Sequence, residues 1–248
     1  MRRGYPSPSS YSYSFGPGPL TPAIKAIMIA NAALFVLTLV APGLVRPLGL
    51  RPADLFGSLS VWQLVTYMFV HAGPGHLLFN MLTLWMVGTE FERSWGTRFF
   101  TKYYFVCGVG AGLTQVIVGL LPLPFADSLY YASTVGASGA IYGLLLAYAV
   151  YFPHRPMLLF MLFPVPAKYF VMILGGLALL FSFQGGSGVA HTAHLGGLLA
   201  GYLYLKSGRI QIWHEIRYRY TRWRIGRARM KFDVYSGGKS RDTDRRVH

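Results

Sequence analysis

The chain has 248 residues, 53% of them hydrophobic and only 12% charged, with a mean hydropathy of +0.40 and a formal net charge of +15. That composition excludes an ordinary water-soluble domain and points to a polytopic membrane protein, long enough for about six spans of ~20 residues plus tails. The charge is concentrated, since thirteen of the 23 Lys and Arg residues lie from Lys206 onward.

Residues 1–20 are rich in Tyr, Ser, Pro and Gly and contain no apolar core. They read as the disordered cytoplasmic part of a tail ending at residue 21, and no cleavable signal peptide is expected. After Pro22, residues 23–41 form a first span with Asn31 as its one strongly polar interior residue. Residues 42–74 are too long and mixed for a turn. Trp62, Tyr67 and Phe69 suit a membrane–water interface, so a partly helical loop resting in the membrane surface is expected. The second span covers residues 75–91 and opens with His76 and Asn80, four apart and hence on one helix face. Residues 99–121 form the third span. It holds the only cysteine, Cys107, which reads as a small buried hydrophobe; no disulfide framework or cysteine-based metal site is implied.

Residues 123–134 are a loop, and residues 136–152 the fourth span, which Pro153 must end. Residues 153–166 form a proline-bounded connector, apolar but too short to cross. Residues 168–183 make the fifth span, 184–188 a Gly-rich loop, and 189–205 a sixth span carrying His191 and His194. The expected fold is an all-α polytopic bundle of six transmembrane helices with an interfacial first outer loop. Its parts are an N-terminal tail (1–21), the six-span domain (22–206) and a basic cytoplasmic tail (207–248).

The Lys/Arg bias sets the orientation. With the N-terminus inside, the inner segments hold Arg2, Arg3, Lys25, Arg93, Arg98, Lys102, Arg155, Lys168 and the basic tail, whereas the outer loops hold only Arg46 and Arg51. The positive-inside rule therefore places both termini in the cytoplasm. Spans two, four and six then all enter from outside. His76 and Asn80, Ser138, and His194 all sit near those outer ends, at one shared depth. Intramembrane polar groups are costly and mark functional cavities.

Ser138 lies in a Gly136-Ala137-Ser138-Gly139 turn where a loop becomes an apolar helix. Glycines there let other backbone approach closely, and a helix N-terminus offers unpaired N–H groups to an oxyanion. From Ser138 to Pro153 is about 22 Å of helix, less than a bilayer core of roughly 30 Å. The serine therefore lies below the outer surface, walled by protein or lining a water-filled cavity. A packing seam is the plainer use of such a motif: span four carries Gly139, Gly143 and Ala147, and span six Ala193, Gly197 and Gly201, each at intervals of four, small-residue ladders that let helices cross with backbones close together.

A serine nucleophile needs a base. His194 is the choice, with Gly197 on its own face; His191, one turn earlier, is the competitor. None of the eight acids is placed to orient the imidazole, so a Ser–His dyad is implied rather than a triad. Tyr142, one turn below Ser138, could pack on that imidazole or be an ordinary core tyrosine. His76 and Asn80 are candidate oxyanion donors with the Ser138 N–H, or else simple helix–helix hydrogen-bonding groups. His71 reads as a brace for the loop. Zinc is the other use for several histidines, but no His-Glu-x-x-His pattern or nearby carboxylate exists, so no metal site is expected.

His71-Ala-Gly-Pro-Gly-His76-Leu-Leu-Phe-Asn80, Gly136-Ala-Ser138-Gly139 with Tyr142, and Ala190-His-Thr-Ala-His194-Leu-Gly-Gly197, in this order, resemble the rhomboid intramembrane serine proteases of the bacterial, six-span type. Gly88, Glu92 and Gly96 extend the resemblance, which covers roughly residues 23–206. It implies Ser138 as nucleophile, His194 as base, and His76 and Asn80 as oxyanion ligands. It also implies cleavage of transmembrane substrates near small, helix-destabilising residues, with no cofactor. The family's common Trp-Arg pair in the first loop reads Trp62-Gln63 here.

Two rival readings fit the sequence less well. A catalytically silent rhomboid-like binder of membrane proteins is opposed by the intact Ser138/His194 pair. A transporter would want acids at mid-membrane, which the spans lack. The basic tail interleaves Arg with Trp213, Tyr218, Tyr220 and Trp223, a pattern compatible with nucleic acid. Its position directly after a span favours anionic inner-leaflet lipid instead. The expected setting is a bacterial plasma membrane, with the site opening outward.

Overall fold

A computed structural model of the chain describes residues 16–159, 162–182 and 191–207. The expected disordered stretch as far as residue 15, the loop at 184–188 and the basic tail from residue 208 lie outside the described residues. The chain divides into two units, Met1–Tyr204 and Leu205–His248. The first carries everything that follows.

The described part is mostly helical. α1 (Pro22–Val40) starts on a proline at its first position, where no N–H is needed. The loop after α1 holds three short helices, α2 (Val45–Leu48), α3 (Pro52–Gly57) and α4 (Gln63–Thr66), with 3₁₀ turns around them. The second segment is continuous but irregular: α5 (Pro74–Thr83), a π-helical turn at Leu84–Gly88, then α6 (Thr89–Trp95). α7 (Thr97–Gly119) follows, and α8 (Ala126–Tyr131) occupies part of the loop before the serine. α9 (Ser138–Tyr151) begins on Ser138 itself. The connector expected after Pro153 is a small antiparallel hairpin, β1 (Pro156–Leu159) with β2 (Phe163–Pro166). α10 (Ala167–Ser182) and α11 (His191–Lys206) complete the series. Among the described residues only α1 is long and apolar enough to cross a membrane by itself; α9 and α10 are apolar but shorter.

The core forms where α7 and α11 meet α9. A Cβ at Gly143 would lie 2.4 Å from Cys107 Sγ, and one at Gly197 would lie 1.9 Å from the Gly139 carbonyl oxygen. These backbones therefore touch, as small-residue ladders allow. Buried phenols tie the bundle together, with Tyr103 donating to the Gly143 carbonyl at 2.7 Å and Tyr67 to the Gly108 carbonyl at 2.6 Å. Cys107 is buried and free.

The first loop is anchored with Gln63 where the resemblance would lead one to expect an arginine. Buried Gln63 accepts from the Arg51 N–H at 3.0 Å, the Trp62 indole donates to the Pro47 carbonyl at 2.9 Å, and Thr66 donates to the Leu48 carbonyl at 2.7 Å. The loop in turn grips the approach to α9. Leu50 and Thr134 exchange two backbone bonds of 2.9 and 2.8 Å, and the Gly136 N–H donates to the Tyr67 carbonyl at 2.8 Å.

Glu92 closes the end of the bundle where α1 begins. Its carboxylate accepts from Thr21 Oγ1, from the Ala23 and Ile24 N–H groups at 2.8 and 3.0 Å, and from Thr97 Oγ1 at 2.8 Å. α1 has no acid in its own first turn and no side-chain cap from Thr21. A carboxylate from α6 satisfies those orphan amides and meets the positive helix end. Residues 16–21, expected to be disordered, are held against α5–α6 by this cap and by Trp85 and Arg93. Gly-Pro backbone with accessible carbonyls found donors there.

Candidate active site

Ser138 opens α9, so its own N–H is one of the unpaired first-turn amides. The preceding Gly136 has φ +117°, a conformation L side chains rarely adopt. A Cβ on it would lie 2.7 Å from the His76 ring. Glycine is required twice over, for the turn and for the approach of the imidazole.

His194 lies in the first turn of α11, 8% exposed, and its Nε2 stands 2.8 Å from Ser138 Oγ. Ser138 Oγ–H can donate to a neutral Nε2, which puts the ring proton on Nδ1. That Nδ1 is buried and has no hydrogen-bond partner among the described residues. Among the described residues no acid orients the imidazole. Tyr142 holds it by its face instead: the two rings lie 4.2 Å apart and only 6° from parallel. The close Gly139–Gly197 contact sets the two helices at the separation this bond requires.

His76 and Asn80 lie one turn apart on α5. Asn80 donates one amide N–H back to the His76 carbonyl at 2.8 Å; its second N–H remains available. His71, buried in the loop before α5, packs edge-on to His76 with centroids 5.0 Å apart. Burial holds the His71 imidazole below its ordinary range, and the adjacent His76 adds to that.

One cavity of about 1350 Å³ brings these groups together. Ser138, His194, Tyr142, His76 and Asn80 all line it, and its walls continue inward along Met86 and Val87 on one side and Phe170 and Leu174 of α10 on the other. His191 also lines it, edge-on to His194 at 6.0 Å, but Ser138 Oγ is bonded by His194 and not by His191. Gly136, Gly139 and Gly197 shape the contacts around the dyad. Sequence reasoning passed over Gln115, a buried cavity-lining residue of α7 whose Oε1 is unpartnered among the described residues. A lone amide inside an apolar helix was the available signal. No group of three or more potential metal ligands occurs among the described residues.

The arrangement can do acyl transfer: a hydroxyl on a base, a base held in plane, and donors at the serine N–H and across the cavity. A family model described as Rhomboid domain matches residues 58–208. The chain is 32% identical to rhomboid protease GluP of Bacillus subtilis over 62% of its own length and 27% of the relative's. It is 33% identical to mitochondrial rhomboid protein 1 of Saccharomyces cerevisiae, over 55% and 38%. With rhomboid protease AarA of Providencia stuartii it shares 28% identity, over 63% and 58%. The chain thus spans between about a quarter and three fifths of the lengths of these relatives.

Proposed function

We propose, for a chain that belongs to the rhomboid family of membrane proteases, that it is an intramembrane serine endopeptidase. Ser138 is the nucleophile and His194 the general base. His76, Asn80 and the Ser138 N–H receive the oxyanion, and Tyr142 positions the imidazole. The observation that carries this reading is the 2.8 Å contact between His194 Nε2 and Ser138 Oγ inside a cavity. Ser138 attacks the scissile carbonyl as His194 takes its proton. His194 then returns that proton to the leaving amine, and water hydrolyses the acyl-enzyme by the reverse proton traffic.

The substrates are transmembrane segments of other membrane proteins. They reach the dyad through the cavity between α5–α6 and α10. Six spans, at residues 23–41, 75–91, 99–121, 136–152, 168–183 and 189–205, cross the bilayer with both termini cytoplasmic and the dyad toward the outer face, in a bacterial plasma membrane. The basic tail attracts anionic inner-leaflet lipid at roughly 1 kcal/mol per Lys or Arg near the surface.

The test is reconstitution with a single-span model substrate. Ser138→Ala and His194→Ala should each abolish cleavage while leaving the melting temperature near that of the parent. Normal cleavage by purified Ser138→Ala protein sinks the proposal. Chelators should leave the rate unchanged.

A further inference from the structure

The Gly16–Pro19 stretch lies on the second helical segment through a row of side-chain donors. Arg93 Nη1 donates to the Pro17 carbonyl, the Trp85 indole to the Gly18 carbonyl at 3.1 Å, and Arg93 Nη2 to the Pro19 carbonyl at 2.8 Å. Consecutive carbonyls are thus each met. Gly16 rests on the indole, where a Cβ would come within 2.4 Å of the ring. Gly16 and Gly18 have φ of +83° and +87°, so both need glycine. Pro17 and Pro19 fix the alternate φ angles and lack an N–H. Gly-Pro-Gly-Pro is therefore a shape as well as a composition. The grip runs on into the Glu92 cap at Thr21, Ala23 and Ile24.

Trp85 belongs to the π turn at Leu84–Gly88, whose Met86 and Val87 line the cavity below Asn80 and His76. Such turns are rare, short and frequent at functional sites. Relaxing this one to α-helix would rotate His76 and Asn80 relative to Trp85 and Arg93.

We propose that Trp85 and Arg93 form a peptide-binding site for a Gly-Pro-Gly-Pro segment, filled in cis by the chain's own Gly16–Pro19, and that its occupancy holds the π turn in the register that sets His76 and Asn80 against Ser138. The coupling to turnover rests on the proteolytic reading; the binding site does not. An indole and a guanidinium are donor-only groups, suited to accessible carbonyls. Proline-rich peptides are bound in aromatic-lined grooves by the same pairing of stiff ligand and flat ring. A ligand on a short tether has an effective concentration in the millimolar range, so a few exposed bonds suffice.

The test uses the full-length protein with 5-fluorotryptophan at its five tryptophans, the Trp85 fluorine resonance being identified by Trp85→Phe. Gly16→Ala/Gly18→Ala strains the strap from its own side, and Arg93→Gln removes two of its donors. Each should move the Trp85 resonance and lower kcat several-fold with little change in KM. A synthetic peptide of residues 14–20 at millimolar concentration should restore both in the glycine variant but not in Arg93→Gln. A Trp85 resonance indifferent to the glycine substitutions, or no return on adding peptide, overturns the site. A resonance that responds while kcat stays constant overturns the coupling. Cleavage surviving Ser138→Ala would overturn the protease reading instead and leave the fluorine result standing.

Discussion

Asn80 has two amide protons and uses one on its own helix, at the His76 carbonyl. The other remains available, and both Asn80 and His76 line the cavity that holds Ser138. In the proposed oxyanion role such groups stabilise charge only as it forms. Asn80→Ala and His76→Ala should therefore lower kcat far more than they raise KM. Losing one such donor typically costs about 10²–10³ in rate, and the remaining donors should keep the loss toward the lower figure. Steady-state kinetics on reconstituted protein decide it, and an unchanged kcat would make both residues structural. Glu92, just past the predicted end of the second span, is a stability residue of a different kind. Burial pushes its carboxyl up, but the bonds from Thr21, Ala23, Ile24 and Thr97 outweigh that and hold it below the ordinary carboxylate range. Between the folded and unfolded values the unfolded chain binds more protons, so stability falls as pH drops from about 4.5 through the folded value. Glu92→Gln, which cannot carry the charge, should melt lower than the parent near neutrality, by about 2 kcal/mol or more of lost charged hydrogen bonding. The gap should narrow as pH falls through that window. A gap constant with pH would mean that the carboxylate charge contributes nothing.

At the scale of elements, the dyad depends on a helix crossing set by glycine. A Cβ on Gly197 would sit 1.9 Å from the Gly139 carbonyl oxygen, three residues from His194 and one from Ser138. α11 or α9 must move to admit it. Overpacking of this kind typically costs about 1–3 kcal/mol, and a shift near 1 Å would break a 2.8 Å contact and lose about 10² in rate. Gly197→Ala should therefore show a lowered melting temperature and loss of most cleavage. Gly176→Ala on α10 is the contrast: nothing lies within 4 Å of its Cβ, and helix propensity favours Ala by about 1 kcal/mol. Equal behaviour of the two variants would refute the packing argument. These ladders were legible in the sequence because a spacing of four on a helix is local information. So were Ser138, His194, His76 and Asn80, whose polarity is out of place in apolar segments. The Glu92 cap was not, because its partners at Ala23 and Ile24 lie 69 and 68 residues away. Nor was the hairpin of β1 and β2, since a short apolar run between prolines carries no periodicity that separates strand from loop. The docked Gly-Pro strap was hidden for a further reason: a composition typical of disorder does not reveal donors waiting on another element.

For the whole molecule, orientation is the property on which the chemistry depends, because it decides which compartment supplies water and substrate. The proposed orientation rests on the asymmetry of Lys and Arg, with residues 93–102 and Arg155 inside and the loop holding Arg46 and Arg51 outside. The lone cysteine makes this testable without a cysteine-free background, since Cys107 is buried at 0% exposure. Ser128 on α8 and Ser94 on α6 are both exposed, one on each proposed side. In sealed, right-side-out membranes a charged maleimide should label Ser128→Cys at once and Ser94→Cys only after permeabilisation, with the parent chain staying unlabelled throughout. Ser128 also lines the cavity that holds Ser138 and His194. The outer reagent should therefore reach Ser128→Cys more slowly when a mechanism-based inhibitor fills that cavity, tying the side labelled to the side of the reaction. The opposite pattern, with Ser94→Cys labelled from outside and Ser128→Cys protected, would invert the topology and place the dyad toward the cytoplasm.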